Sequence, residues 1–443
     1  MRLLVQCKPR LLRRAQSRWG FQRGEAAAHP IGRTRGFKPR VRYILIPIFL
    51  FLLLFSACRG NGLDGKGEFP SLQDDLDRES LHRAIRLSLK FLEGVPPDRS
   101  VGEWPRIVTA REVRESLLAF EDLLDLLNRP EELLEAVRSR FDLHQSVGRS
   151  AEEVLFTGYY QPVIEGSLSE TPVYRFPVYR RPADLIEADL AGFGPDLQEE
   201  TIVGRVEEGR FVPYFSRYEI DGMGRLGGRG YEIAWVKDQV DLFFLHIQGS
   251  GLLRLEDGRL LHLNYSASNG RPYTSIGKVL LDRGKIQEEE LSMQRLRRYL
   301  KEHPEERQDL FTENERYTFF RFVENGALGS LDVPLTPGRS IATDSRIFPK
   351  GALAFIITKK PILDSTGKLL GWKPFSRFVL NQDTGAAIRG HGRADLFFGS
   401  GSQAGAAAGY MKSTGSLYFL LKREGADYSD SGKPRTTDLR PWL

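Results

Sequence analysis

Three aspartates in the C-terminal third of the 443-residue chain stand among glycines at the ends of apolar runs. They are Asp344, Asp383 in the segment QDTG, and Asp395 in the segment GHGRAD. Glycine lets the backbone turn sharply or approach a ligand closely, and an aspartate beside exposed amides can be held in one protonation state. These carboxyls are therefore candidates for general acid–base chemistry, although aspartate is also a common turn residue.

Two tripeptides near these aspartates suggest a protease instead. Asp-Thr-Gly at 383–385 is the tripeptide of aspartic proteases, which need two carboxyls that share a proton. The second candidate, Asp-Ser-Gly at 430–432, lies in a polar tail without flanking apolar strands. A protease would therefore need a dimer that donates one Asp383 from each subunit, which makes this the weaker interpretation.

The sequence gives little support for a nucleotide-binding site, a catalytic serine or a metal site. The run 399–404 fits a dinucleotide-binding motif loosely, but the Ala-rich stretch behind it is too short for a Rossmann helix. Gln-Gly-Ser-Gly at 248–251 lacks the first glycine of a nucleophile elbow. The seven histidines are scattered without the spacing of metal ligands, so we predict no metal and no cofactor.

The basic charge of the chain is concentrated in its first segment. Residues 1–57 contain twelve Lys and Arg against the single acid Glu25, a net charge of +11. Because the whole chain carries +6, residues 58–443 carry −5. The folded part therefore has no electrostatic signature of nucleic-acid binding, and we predict no nucleic-acid partner.

A short apolar run follows the basic segment. Residues 43–55 are uncharged and would span about 20 Å as a helix, short of the ~30 Å hydrocarbon core of a bilayer. Ser56, Ala57 and Cys58 come next, the pattern of a secretory signal that ends in a bacterial lipobox. We predict a signal segment over 1–57 and a lipidated Cys58 with a tether over 58–69. The alternative is an uncleaved membrane anchor.

Periodicity divides the rest of the chain. Helical spacing of apolar residues predicts helices within 70–145, with a capping box at Thr109 and Glu112. After residue 150, short β-rich runs between Gly and Pro turns predict an all-β region. We predict strands at 154–160, 174–180, 209–215, 231–236, 241–247 and 258–266, helix over 275–325, strands at 353–358, 376–382, 386–390, 394–398 and 416–422, and a loose tail over 426–443.

Five segments occur in an order that is typical of one family. They are FTGYYQPVIEGSL (156–168), FLHIQGSGLLRLEDG (244–258), YSASNGRPYTSIGKVLLDRG (265–284), VPLTPGRSIATDSRIFPKG (333–351) and QDTGAAIRGHGRADLFFGSGSQAGAAAG (382–409). On these segments the chain resembles the membrane-bound lytic murein transglycosylase A family over nearly all of its predicted mature length.

The resemblance implies a fold that is mainly β with helices. A double-psi β-barrel catalytic domain would carry a second β-domain inserted near its start, with a glycan-binding groove between the two. The implied boundaries are a helical N-terminal part with the first barrel strand over 70–166, the inserted β-domain over 167–265, and helices with the barrel over 266–425.

The resemblance also implies an activity. Members of the family are lyases that cleave the β-1,4 bond between N-acetylmuramic acid and N-acetylglucosamine of peptidoglycan, leaving 1,6-anhydro ends. Asp395 matches the catalytic aspartate of the family and Asp383 a neighbour in the same site, and both are the predicted catalytic residues. The alternatives are a non-catalytic peptidoglycan-binding lipoprotein and a glycan hydrolase on the same barrel.

Sugar recognition needs aromatic faces and hydrogen-bonding side chains. The predicted substrate-binding residues are Asp344, Tyr159, Gln161, Gln248, Ser250, Tyr265, Asn269, Arg271 and Arg389. For the polar and aromatic residues among them, core packing or turn formation is an equal alternative.

The predicted partners are peptidoglycan strands, the outer membrane through a lipid anchor, and complexes with other cell-wall enzymes. Arg59 follows Cys58 where an Asp would retain a lipoprotein in the inner membrane. By this sorting rule we predict a location at the periplasmic face of the outer membrane.

Overall fold

The computed structural model describes residues 69–147, 153–194, 201–324 and 326–425. The predicted signal segment, Cys58, the tether up to residue 68 and the predicted tail over 426–443 lie outside the described residues. Among the helices in these ranges, none is both long enough and apolar enough to span a bilayer.

The helices begin and end at recognisable local signals. They are α1 (Arg78–Glu93), α2 (Ala110–Glu121), α3 (Pro130–Arg140), α4 (Gln239–Gln248), α5 (Ile276–Asp282), α6 (Met293–Glu302), α7 (Arg307–Glu313) and α8 (Gly401–Tyr410). The predicted capping box of Thr109 and Glu112 is present at the start of α2. Ser292 caps α6 by accepting a hydrogen bond from the Arg295 amide at 3.2 Å. Pro130 occupies the first turn of α3, where its missing N–H leaves no partner unsatisfied.

The strands fall into two large sheets and two small ones. In chain order they are β1 (Ser100–Gly102), β2 (Val108–Thr109), β3 (Phe141–Gln145), β4 (Val154–Gln161), β5 (Val163–Ser167), β6 (Phe176–Tyr179), β7 (Ile186–Asp189), β8 (Thr201–Glu207), β9 (Arg210–Pro213), β10 (Glu232–Val236), β11 (Ser250–Arg254), β12 (Leu260–Ser268), β13 (Thr318–Val323), β14 (Ser340–Ala342), β15 (Leu353–Leu363), β16 (Leu369–Asp383), β17 (Arg393–Ser400) and β18 (Lys412–Lys422). β1 pairs with β2, and β7, β8 and β9 form a separate three-stranded sheet.

Six strands close into a barrel in the order β15-β16-β14-β17-β4-β18, because β18 pairs back onto β15. The pairs β14–β16 and β17–β4 are parallel, and the other pairs around the ring are antiparallel. The apolar faces of α1 and α2 share one buried core with the barrel strands. This mainly β architecture, with a closed barrel and N-terminal helices, confirms the predicted fold class.

The second large sheet has the order β13-β12-β11-β5-β10-β6. A single residue, Pro162, separates β4 of the barrel from β5 of this sheet. The last strand of the sheet, β13, pairs with β12 as far as Val323. The sheet therefore continues past residue 265, where we predicted the inserted β-domain to end. Helices α5 to α7 lie between its strands β12 and β13 in the sequence.

One predicted strand, 241–247, is wrong because this segment lies within helix α4. Asp238 caps the helix by accepting from the Val240 amide, and Gly249 ends it in the left-handed conformation with φ +75°. Leu245 packs on the core of the six-stranded sheet, whereas Phe243 packs on α5 to α7. A helix buried on two sides has no polar stripe, so its sequence reads as a continuous apolar run.

Two further assignments are wrong in part. Residues 386–390, predicted as a strand, form a loop between β16 and β17. The end of the predicted helical segment, Thr318–Val323, is strand β13. In both places contacts with distant parts of the chain decide the backbone conformation, which local periodicity does not register.

A buried ion pair joins the segment before α1 to the barrel. The side chains of Arg339 and Asp74 are 0% and 2% exposed, and Nη1 of Arg339 lies 2.6 Å from Oδ2 of Asp74. Arg339 also donates to the carbonyl oxygens of Phe378 and Asp77, each at 2.8 Å. The guanidinium therefore ties the N-terminal segment to β16 and to the start of β14, which is one residue further along the chain.

We expect Asp74→Ala to lower the free energy of unfolding by about 3–5 kcal/mol, because it leaves the buried Arg339 cation without its partner. Equilibrium urea denaturation measures the change. The matched control is Glu132→Ala, which removes an exposed ion pair with Arg129 and should cost less than about 1 kcal/mol. Equal effects of the two substitutions would show that the buried pair contributes little.

Candidate active site

Strands β16, β14 and β17 bring two of the predicted aspartates onto one face of the barrel. Ala342 of β14 pairs with Asp383 of β16 on one side and with Asp395 of β17 on the other. Directly paired residues of neighbouring strands project their side chains to the same face. Strands lie ~4.8 Å apart, so the Cα atoms of the two aspartates stand about 10 Å apart, with the methyl group of Ala342 between them.

Asp395 is held by residues on its own strand and on the next one. Its side chain is 16% exposed. Oδ1 accepts a hydrogen bond from the hydroxyl of Thr157, its partner on β4, and Nε of Arg393 lies 3.4 Å away. Burial raises the pKa of the Asp395 carboxyl, and Arg393 and Thr157 oppose that rise by stabilising the charged form. A carboxyl with a raised pKa can act as a proton donor.

Asp383 lies at the end of β16 and accepts two backbone hydrogen bonds. Its Oδ1 receives the amide of Thr384 at 2.8 Å and the amide of Ser330 at 2.9 Å. Burial raises the pKa of Asp383 to about 6 despite these amides, and the charge of Asp395 adds to the rise. The two carboxyls are thus coupled, and ionisation of one disfavours ionisation of the other.

Tyr159 lies on the same face as these carboxyls, two residues after Thr157 on β4. Its ring packs against Phe397, with the ring centroids 5.2 Å apart. Burial, together with the charges of Asp383 and Asp395, raises the pKa of the Tyr159 hydroxyl well above its usual value. The hydroxyl therefore remains protonated beside the two carboxyls and is available as a hydrogen-bond donor.

Asp344 is the first of the three predicted aspartates along the chain, and it faces a different loop. Its side chain is fully buried and accepts from Arg346 Nη2 at 2.8 Å and from the Gly390 amide at 2.9 Å. Burial alone would raise the pKa of Asp344, but these donors lower it to about 2. The charged carboxylate thus fixes the loop between β16 and β17, and its side chain has no exposed surface.

Two predicted substrate-binding glutamines lie where the barrel meets the second sheet. Oε1 of Gln248, at the end of α4, accepts from the backbone amide of Tyr160 at 3.1 Å. Gln161 is 1% exposed, and its Oε1 accepts from the Ser400 hydroxyl at 2.9 Å. Both amide side chains therefore hold β4 in place between the two parts of the molecule.

Three more of the predicted substrate-binding residues are engaged within the second sheet. Asn269 is fully buried and bonds the carbonyls of Phe215 and Glu315 and the amide of Tyr317. Nε of Arg271 donates to the carbonyl of Tyr214 at 2.9 Å. Ser250 is 9% exposed at the start of β11.

Tyr265 and Arg389 are the exposed members of the predicted set. The Tyr265 side chain is 44% exposed on β12, and that of Arg389 is 54% exposed on the loop after β16. Both lie near enough to the half-buried Arg316 to influence its pKa, which is lowered chiefly by burial. Tyr265 belongs to β12 of the second sheet, and Arg389 belongs to the loop between β16 and β17 of the barrel.

Sequence reasoning missed three residues that contact or face the carboxyls. Thr157 donates to Asp395, and the Ser330 amide donates to Asp383. Tyr273, from the chain after β12, lies near enough that Asp395 and Arg393 influence the pKa of its hydroxyl, which burial raises. The Thr157 contact follows from strand register, and the other two come from distant loops, so no local motif indicated them.

Family models match most of the described chain in two pieces. The model described as the MltA specific insert domain matches residues 155–321. The model described as the 3D domain matches residues 339–421. The first covers nearly all of β4 and most of β13, and the second covers the segment that contains all three aspartates.

Two curated relatives carry the same name, and about a third of the residues that align with this chain are identical. The membrane-bound lytic murein transglycosylase A of Escherichia coli K12 is 33% identical over 282 residues, which is 63% of this chain and 68% of the relative. The protein of the same name from Vibrio cholerae is 30% identical over 276 residues, 62% of this chain and 67% of the relative.

Two solved structures of lytic transglycosylases are also similar to the chain. A membrane-bound lytic murein transglycosylase from Agrobacterium tumefaciens is 33% identical, covers 78% of this chain and 93% of its own, and has a TM-score of 0.65. Escherichia coli MltA with bound chitohexaose is 26% identical, covers 81% of this chain and 96% of its own, and has a TM-score of 0.60.

The raised pKa of Asp383 predicts a pH-dependent stability. Because its pKa is about 6 in the folded state against an ordinary value of 3.8 for an exposed aspartate, the folded state holds the proton more tightly. Its contribution to stability is present below about pH 4 and is lost as pH rises through about 6, a loss of roughly 3 kcal/mol.

Asp383→Asn cannot ionise and should not show this loss. Urea denaturation of parent and variant at about pH 4 and about pH 7 gives the difference in unfolding free energy, which should shift in favour of the variant as pH rises. The exposed substitution Asp122→Asn serves as the control. A difference that stays constant between the two pH values would contradict the burial of the Asp383 charge.

Proposed function

The chain belongs to the membrane-bound lytic murein transglycosylase A family, and we propose that it cleaves peptidoglycan strands by the reaction for which that family is named. The bond is the β-1,4 link between N-acetylmuramic acid and N-acetylglucosamine, and the product carries a 1,6-anhydro end. The relative from Escherichia coli was solved with chitohexaose, an N-acetylglucosamine oligomer with the same β-1,4 linkage.

The observation that carries the proposal is the pair of partly buried carboxyls on either side of Ala342. Cleavage of a glycosidic bond requires a proton donor beside the bridging oxygen. Asp395 has a raised pKa, one neighbouring hydroxyl donor and one neighbouring cation. We assign it as the catalytic acid.

In the first step, the protonated Asp395 gives its proton to the oxygen that bridges the two sugars. The bond between that oxygen and C1 of N-acetylmuramic acid breaks, and positive charge develops at C1 and the ring oxygen. Arg393 and Thr157 then stabilise the carboxylate that remains. Their contribution grows as negative charge appears on Asp395, so it favours the transition state over the bound substrate.

In the second step, the 6-hydroxyl of the same N-acetylmuramic acid attacks C1. The new bond closes the 1,6-anhydro ring, and the hydroxyl proton passes to the carboxylate of Asp395. The acid is thereby restored and no water is consumed. Ordinary glycosidases need two carboxyls at a set distance, whereas here the nucleophile belongs to the substrate.

The role of Asp383 is to stabilise the positive charge that develops at the sugar ring. Its Oδ1 is fixed by two backbone amides, so the carboxylate does not need to reorient during the reaction. Burial and the charge of Asp395 both raise the pKa of Asp383, and because the interaction between the two carboxyls is mutual, an ionised Asp383 disfavours ionisation of Asp395. Tyr159 completes this face as a neutral donor.

The glycan strand runs between the barrel and the second sheet in our proposal. Tyr265 and Arg389 are exposed and lie near enough to the half-buried Arg316 to influence its pKa, and we assign all three to the substrate-binding surface. Gln161, Gln248, Ser250, Asn269 and Arg271 support that surface through the contacts they make within the fold. Asp344 supports the loop that carries Arg389.

The two alternative functions are not favoured. A non-catalytic binding protein would have no need of two coupled, partly buried carboxyls, and the relatives carry the name of the enzyme. A hydrolase would consume water and leave a reducing end, whereas the relatives from Escherichia coli, Vibrio cholerae and Agrobacterium tumefaciens are all named as lytic transglycosylases.

Asp395→Asn should lower the rate of strand cleavage by about 10²- to 10⁴-fold, because the amide has no acidic proton to give. Thr157→Val removes one hydrogen bond to the same carboxylate and should cost about tenfold. Mass spectrometry of digested peptidoglycan measures both, since anhydro products are one water lighter than hydrolysis products. Thermal unfolding provides the control for folding.

Other outcomes of this digestion are equally informative. Reducing-end products from the parent protein would establish a hydrolase, and the absence of products would leave a binding protein. Full activity in the Asp395→Asn variant would transfer the role of the acid to Asp383.

We also propose that the mature protein begins at Cys58, carries lipid on that residue and lies at the periplasmic face of the outer membrane. The support is the basic and apolar leader before a lipobox, and the description of the relatives as membrane-bound. The sequence up to residue 68 would then be a tether between the lipid and the folded part.

A fatty-acid label tests the anchor. Cys58→Ala should lose the label and leave the outer-membrane fraction of a density gradient, whereas Cys7→Ala should keep both, because residue 7 belongs to the removed leader. An N-terminus upstream of residue 58 would instead indicate an uncleaved anchor, and label on the Cys58→Ala protein would show that another residue carries the lipid.

A further inference from the structure

A cavity of about 350 Å³ lies beside the site, on the side of the N-terminal helices. Its lining joins the end of α1 and strand β1 to three barrel loops. Ser330 and Thr384 both line it, and their backbone amides are the two that bind Asp383. The cavity therefore begins within one residue of an active-site carboxyl, and the mechanism above makes no use of it.

Two cations and no acid are among the residues that line this cavity. The cations are Lys350 and Arg99. Neither side chain forms an ion pair with an acid anywhere in the described ranges. Both cations are therefore free to pair with a ligand that has carboxylate groups.

The backbone of Lys350 is fixed on both sides. Its amide donates to the carbonyl of Val101 at 2.9 Å. The residues before and after it are both tied to Asn381, through the Pro349 carbonyl at 2.9 Å and the Gly351 amide at 2.7 Å. Asn381 stands two residues before Asp383 on β16, so the backbone of Lys350 is tied to the strand that carries the active-site carboxyl.

The remaining lining is mixed in character. Hydroxyls come from Ser330, Ser345 and Thr384, and apolar surface comes from Val95 and Leu331. Small aliphatic side chains and backbone amides would find complementary groups there. A peptide that contains alanine and carboxylate-bearing residues has this combination of groups.

We propose that this cavity binds the peptide carried by the N-acetylmuramic acid at the site, with Lys350 and Arg99 paired to the peptide's carboxylates. The inference rests on the proposed function, since it is that reaction which places N-acetylmuramic acid beside Asp395. The peptide is attached to the sugar through the lactyl group and extends ~3.3 Å per residue. A few residues are enough to cover the distance from the sugar past Asp383 to Lys350.

The proposal distinguishes two forms of the substrate. A peptide-bearing strand has carboxylates several residues away from the sugar ring, whereas a strand stripped by an amidase keeps only the lactyl carboxylate at the ring. The cations should therefore favour the peptide-bearing strand and leave cleavage of the bare strand unchanged. The preference arises from binding, so it should appear in KM rather than in kcat.

The test compares the parent protein with the double variant Lys350→Ala/Arg99→Ala on soluble strands of matched length, with and without peptides. We expect kcat/KM for peptide-bearing strands to fall about fivefold, as for partly exposed ion pairs, and about tenfold or more for Lys350→Glu/Arg99→Glu. Bare strands should be cut at the parent rate. The matched control is Arg83→Ala/Lys359→Ala, which removes two exposed cations outside the cavity.

The possible outcomes separate the peptide-binding inference from the proposed function. An equal fall on both substrates would mean that the cations bind the glycan or its lactyl group, and no fall on either would mean that the peptide lies elsewhere, so both results overturn the inference. Cleavage of bare strands to anhydro products by the parent protein keeps the proposed function intact in either case. A parent protein that yields no anhydro products from either strand would overturn the proposed function instead.

Discussion

The buried guanidinium of Arg339 is the interaction on which the arrangement of the site depends. It reaches Asp74 and the carbonyl of Asp77 on one side and the carbonyl of Phe378 on the other. β14 begins at the next residue and has only three residues, too few to fix its own register by pairing alone. The buried cation supplies that constraint from outside the strand.

The short strand β14 is the structural link between the two carboxyls. Ala342 pairs with Asp383 through a parallel ladder and with Asp395 through an antiparallel one. A shift of β14 by one residue would turn the side chain between the carboxyls to the opposite face. The N-terminal helices, which contain none of the site residues, therefore contribute to the chemistry through the position of β14.

The site combines groups whose burial is unfavourable for the fold. Asp383 and Asp395 both have raised pKa values, chiefly because burial disfavours their charged forms. A protein selected only for stability would replace such residues or expose them. Asp344, the first of the three aspartates along the chain, is buried as well, but Arg346 and the Gly390 amide hold it charged with a pKa of about 2. The three aspartates thus fall into two electrostatic classes that the sequence does not distinguish.

The sequence predicted correctly those helix ends and strands that interactions between neighbouring residues determine. The capping box of α2 and the strand predicted over 154–160 were recognisable because side chains within a few residues decide them. The helix α4 was mistaken for a strand because it is buried on two sides, and 386–390 was mistaken because its loop is fixed by Asp344, more than forty residues away.

The same distinction holds for the site. The aspartates were found by motif, whereas Thr157 and Tyr273 reach Asp395 only through strand register and through a loop after β12. Asn269 and Gln161 have the residue types of sugar ligands, and their partners in the structure are groups of the protein itself. Residue type alone does not separate these two uses of an amide.

The single residue between β4 and β5 has a mechanical consequence. Pro162 has a fixed φ and no N–H, and its carbonyl is held by the Leu252 amide at 2.7 Å. The strand that carries Thr157 is therefore joined to the second sheet by one conformationally restricted residue. A tilt of that sheet would move β4 and displace the Thr157 hydroxyl that bonds Asp395. The width of the groove and the hydrogen bond to Asp395 should therefore change together, because no loop between β4 and β5 can take up a movement of the sheet.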